Sequence, residues 1–120
     1  MPKLFDHLVL DVLITGSTSS AYSRDEFNTT LAEADKLFIV ASASQVAGSP
    51  TLTVAIEHSP DGSNWYAGTA TPINNWSLSS ANPRGSYTGY QPRMSRLKVS
   101  LDGMSPQARI QLYVTGRNGG

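Results

Sequence analysis

The side chains able to do chemistry are few and scattered. His7 and His58 are the only histidines in 120 residues, and there is no cysteine. The two lie far apart with no His-x-x-x-His spacing, so zinc has no ligand set. Without cysteine, disulfides, thiolate metal sites and Cys nucleophile chemistry are excluded. Asp6, Asp11, Asp25, Glu26, Asp35, Asp61 and Asp102 offer carboxylates, but none opens the Asp-x-Asp-x-Asp-Gly run of an EF-hand loop. No serine sits in a Gly-x-Ser-x-Gly elbow. Neither glycine-rich phosphate-binding pattern occurs. His58 ends an apolar strand face just before a turn, which predicts a strand-end histidine bonded to the turn backbone rather than a general base. These readings predict a non-enzymatic protein with no cofactor and no metal.

Ser59-Pro-Asp-Gly-Ser-Asn-Trp65 resembles the Asp-box of sialidases, but Asp61 and Gly62 are adjacent where that motif separates them. The segment reads instead as a hairpin turn packed by Trp65, in which Pro presets φ and Gly accepts positive φ.

Lys+Arg and Asp+Glu each number 9, for a formal net charge of zero. Nucleic-acid affinity rests mainly on neutralising phosphates, and anionic membrane surfaces also select for positive charge, so neither partner is expected. Charge near zero favours association. The apolar run at the N-terminus is broken by Asp6, His7 and Asp11, which argues against a signal peptide, and no stretch has the length of a membrane span.

The elements that would position any site are strands. Thr51-Leu-Thr-Val-Ala-Ile-Glu-His58 alternates, with Leu52, Val54, Ile56 and His58 on one face, then turns and restarts at Trp65. Arg96 to Leu101 places Leu97, Val99 and Leu101 inward. Residues 108–115 place Ala108, Ile110, Leu112 and Val114 inward, with Arg109, Gln111, Tyr113 and Thr115 outward. Lys36 to Val46 carries Leu37, Ile39 and Ala41 on one face and Phe38 and Val40 on the other. Leu8, Leu10, Val12 and Ile14 share a face of an N-terminal strand, opposite His7, Asp11 and Leu13. Residues 15–30 read as a polar loop with one helical turn. The expected fold is all-β: a single antiparallel, jelly-roll-like β-sandwich of about six to eight strands. It is one domain over residues 1–120, with an extended N-terminal arm (1–14) and a polar C-terminal tail (116–120).

Residues 71–92 hold three prolines and two glycines and read as one long irregular loop. The loop also holds Trp76, Tyr87 and Tyr90, with Arg84, Arg93 and Arg96 nearby. Aromatics and arginine are enriched at protein interfaces, so Trp76, Tyr87, Tyr90, Arg93 and Arg96, with Leu4 and Phe5 of the arm, are the interface candidates. The alternative for the three aromatics is stacking on sugar rings in a carbohydrate-binding or receptor-binding module.

Thr51 to Trp65 together with Arg96 to Arg117 resembles the small β-sandwich structural proteins of tailed phages and prophages, which include capsid decoration (cement) and minor virion proteins. The resemblance covers about half the chain and carries over no functional residue. It implies a virion protein made in a bacterial cytoplasm. Such a protein would reinforce a capsid lattice, pair with itself, often as a trimer, and bind the major capsid protein or another virion protein. A self-assembling jelly-roll shell protein is the remaining alternative.

Overall fold

A computed structural model describes residues 3–17, 20–68, 71–78, 83–88 and 93–118, without the side chains of Lys3 and Leu4. Among the described residues nine strands form two sheets: β1 (Lys3–Thr15), β2 (Ser20–Tyr22), β3 (Lys36–Ala47), β4 (Thr51–Ser59), β5 (Tyr66–Ala67), β6 (Ile73–Ser77), β7 (Arg84–Thr88), β8 (Met94–Asp102) and β9 (Gln107–Arg117). One sheet has the order β1-β9-β3-β7. The other runs β2-β8-β4, with β5 and β6 sharing the far side of β4. Every ladder is antiparallel. Apart from the β4-to-β6 run, the chain changes sheet at each connection, which is the double Greek key of a jelly roll.

Alternation builds the core. In β9, Ala108, Ile110, Leu112 and Val114 are fully buried while Arg109 and Tyr113 are exposed. In β8 and β4, Leu97, Val99, Val54 and Ile56 meet them from the opposite sheet. A 3-10 turn (Asp25–Phe27) runs into α1 (Asn28–Leu31), which closes one side of the sandwich with the fully buried Leu31.

Three expectations change. Leu8 and Leu10 do not share a face, because the ladder slips between Leu8↔Tyr113 and Leu10↔Leu112. Val9 is the extra residue of a β-bulge. Val9 and Leu10 are therefore both buried, and Leu8 turns outward with Asp11 and Leu13. The bulge is tied across the sandwich, since Arg24 N donates to Val9 O at 2.9 Å.

Second, residues 3–15 are not a free arm and residues 116–117 are not a tail. They pair with each other at the edge of the first sheet, and Asn118 Oδ1 accepts from Asp35 N at 3.0 Å.

Third, the 71–92 stretch contains two short strands, one in each sheet. They pass close together because Gly85 has no Cβ: one built there would lie 1.9 Å from Pro72 O.

Gly116 has the same role beneath Phe5, whose ring lies 2.2 Å from where a Cβ would be. Gly116→Ala must displace that ring from a buried site. The expected cost is about 1–3 kcal/mol, the usual range for overpacking, read from the urea unfolding midpoint. The loss should shrink when Phe5→Leu is made in the same chain, and equal losses in both backgrounds would show that the contact does not matter.

Candidate functional site

A half-buried polar cluster gathers around His58, at the end of β4. Its Nδ1 lies 2.9 Å from Ser95 Oγ of β8, and its Nε2 lies 3.1 Å from the Tyr87 hydroxyl of β7. It does not bond the turn backbone. Both partners are hydroxyls that can donate or accept, so either neutral tautomer is satisfied. Burial lowers the His58 pKa below its ordinary 6.5, because a low-dielectric site disfavours the imidazolium. A serine beside a histidine invites a nucleophilic reading, but Ser95 is fully buried, so its Oγ is closed to an electrophile. The triad is an inter-sheet tie, with Tyr87 reaching across the sandwich from the first sheet to the second.

The turn after β4 is built on two side chains. Ser59 Oγ accepts from Gly62 N at 2.8 Å, and Asp61 Oδ1 accepts from Ser63 N and Asn64 N, each at 2.8 Å. The backbone amides of Asn64 and Ser63 hold the Asp61 carboxyl well below the usual carboxylate range. Trp65, which follows the turn, stacks on an arginine. Its ring lies 4.1 Å from the Arg96 guanidinium, which has Tyr22 at 4.0 Å and Glu57 Oε1 at 2.8 Å from Nε. Glu57 and Arg96 stand directly opposite in register, a favourable cross-strand pair.

A run of exposed apolar side chains lies on the outer face of the β1-β9-β3-β7 sheet. Register places Leu8, Tyr113, Val40 and Arg84 in one row across all four strands. The next row is Asp6, Thr115, Phe38 and Ser86, and the one beyond it brings Arg117, Lys36 and Thr88 together. Leu8 is 36%, Phe38 47% and Tyr113 42% exposed. In the other direction Asp11 forms a two-pronged pair with Arg109, at 2.9 and 3.0 Å. Hydrogen bonds from Arg109 and Gln111 hold the Asp11 carboxyl below its ordinary value. The last two rows line a concavity of about 630 Å³ at the end of this face.

The seven interface candidates do not form one surface. Phe5 and Tyr87 belong to the core, and Trp76, opposite Leu52, packs against it. Neither Trp76 nor Tyr87 therefore supplies an exposed stacking ring. Arg96 is on the outer face of the second sheet, Arg93 is exposed, and Leu4 lies at a register shift in β1. Tyr90 and the Leu4 side chain are outside the described residues. Sequence reasoning placed Tyr113 outward and Phe38 and Val40 opposite Leu37 and Ile39, but it put Leu8 on the apolar face of β1 and did not join the four into one surface. The available signal was a large apolar residue on the outward positions of β3 and β9, whose inward positions already filled a core.

Among the described residues no group of three His, Asp or Glu could hold a metal ion, and no helix is long and apolar enough to cross a membrane. No family model, curated protein or solved structure matches the chain.

A histidine kept neutral by burial ties stability to pH. With its folded pKa below the unfolded 6.5, the unfolded chain binds the proton first on acidification. His58 therefore contributes fully above pH 6.5, and that contribution is lost as pH falls from 6.5 through the lowered value. The urea midpoint should fall as pH drops below 6.5. The same series on His58→Gln should lack that part of the slope, and an unchanged slope would clear His58 of any role in it.

Proposed function

We propose that this protein is a non-enzymatic structural component of a virion, an oligomer that binds and reinforces a capsid lattice, and that its copies associate through the outer face of the β1-β9-β3-β7 sheet. The observation that carries the reading is the run of exposed Leu8, Tyr113 and Phe38, with Val40 between them, across adjacent rows of one sheet. A sheet face with water on its outer side normally alternates apolar-in with polar-out. Here Leu8, Tyr113 and Val40 share a row and Phe38 lies in the next, flanked by Asp6, Thr115 and Ser86 on one side and by Asp11 and Gln111 on the other, the layout of an apolar patch with a polar rim that protein interfaces show. The formal charge of zero leaves no net repulsion between copies. Jelly rolls serve as capsid subunits but also as lectins and cupins, so this surface and not the fold supports the reading.

Light scattering across a concentration series tests the reading. The native protein should form a discrete oligomer. Leu8→Glu with Tyr113→Glu, both at exposed positions, should weaken association by about 10- to 100-fold with melting little changed. A monomer at every concentration, or an oligomer indifferent to both substitutions, would reject the face as the assembly surface.

A further inference from the structure

We propose that neighbouring copies join head to tail, with the β8–β9 turn of one copy seated in the concavity at the far end of the next copy's outer face, Met104 against Phe38 and Asp102 against Lys36 and Arg117. This inference rests on the self-association reading and specifies its contact.

The isolated subunit carries an unfavourable charge arrangement. Lys36 and Arg117 stand directly opposite each other in the β3–β9 ladder, and both line the concavity. Like charges directly opposite on one sheet face destabilise the pair. Among the described residues neither cation forms an ion pair. Among the described residues the carboxylate lining the concavity is that of Asp6, which accepts from Thr115 Oγ1 at 3.3 Å. The described lining thus has two cations to one carboxylate. Phe38 provides an apolar surface, 47% exposed, beside the hydroxyls of Ser86, Thr88 and Thr115. An occupant that satisfies this site brings an apolar group and a carboxylate close together.

The chain presents that combination at its opposite end. Met104, in the turn between β8 and β9, is 87% exposed, the most of any large apolar residue described. Asp102, two residues earlier, is exposed and takes the Gly103 amide on Oδ1 at 2.9 Å, which leaves its other oxygen to a partner. The turn is anchored, since the Pro106 carbonyl accepts from Gly16 N at 2.9 Å, so little order is lost on docking. Methionine is flexible and polarisable and fills irregular hollows well.

Turn and concavity cannot meet within one chain. The turn precedes Gln107 and the concavity begins at Thr115, so residues 107–114 of β9 lie between them, a length of about 27 Å in extended antiparallel strand. The contact therefore joins two different patches of two copies. Such heterologous contacts close into rings when the rotation permits and otherwise grow into filaments. A pairing of opposite charges at each joint gives orientation to an association whose net charge is zero.

The test is a charge exchange read by light scattering, with circular dichroism and melting to establish that each variant folds. Asp102→Lys and Lys36→Glu should each weaken assembly by about tenfold or more, as expected for like charges brought face to face. The double variant should restore it, and Met104→Ser should weaken it without touching a charge. A native oligomer that Leu8→Glu disrupts but that none of these four variants affects overturns the turn-in-concavity contact and leaves the outer-face reading standing. A native protein that stays monomeric overturns both.

Discussion

The structure depends on β9 being paired on both sides. Its register with β1 and β3 runs through the whole first sheet, and because side chains alternate with a period of two, that register decides every neighbour on both faces. Inward, it sets Ala108, Ile110, Leu112 and Val114 into the centre of the core. Outward, it lines Tyr113 up with Leu8 and Val40, Thr115 with Asp6 and Phe38, and Arg117 with Lys36. A slip of one residue would expose four buried side chains and bury Arg109 and Tyr113. The burial that holds the fold together is thus what fixes the arrangement of the surface.

Two local departures adapt this ladder to a closed sandwich. The bulge at Val9 puts two consecutive apolar residues inside and turns the strand, and its carbonyl is taken by Arg24 from the connection that leaves for the other sheet. At the other corner, Tyr87 crosses from β7 to His58, which in turn meets Ser95. Each is a polar or irregular feature at a place where the sheets must be joined rather than stacked. Buried hydroxyls and a half-buried imidazole whose burial disfavours the charged form satisfy one another there.

The long strands were legible from sequence because each carries its own signal. The alternation of β4, β8 and β9, and the two faces of β3, follow from residue types alone. What escaped depended on partners distant in sequence. Nothing within Leu8-Val9-Leu10 marks Val9 as the extra residue, since a bulge is defined against the opposing strand. β6 and β7 are five residues each, flanked by proline and glycine, and exist because β4 and β3 offer edges to pair with. Phe5 and Tyr87 read as interface residues because aromatics in irregular context so often are. The glycine beneath Phe5 and the histidine opposite Tyr87, which make them core, lie 111 and 29 residues away in the chain.

The same limit explains why the outward surface is the informative one. An inward apolar residue is accounted for by the core and says nothing about function. An outward one has no such account, and β3 and β9 place Phe38, Val40 and Tyr113 outward beside Leu8, which the bulge has turned out to join them. Solvation gains nothing from these choices: threonine would serve the strand equally well and leave no apolar face to water. The opposed Lys36 and Arg117 are likewise worse for the isolated fold than either cation beside a neutral residue. An apolar patch and an uncompensated charge pair in adjoining rows cost the single subunit in different ways, and burial against a second molecule with an apolar group and a carboxylate relieves both at once.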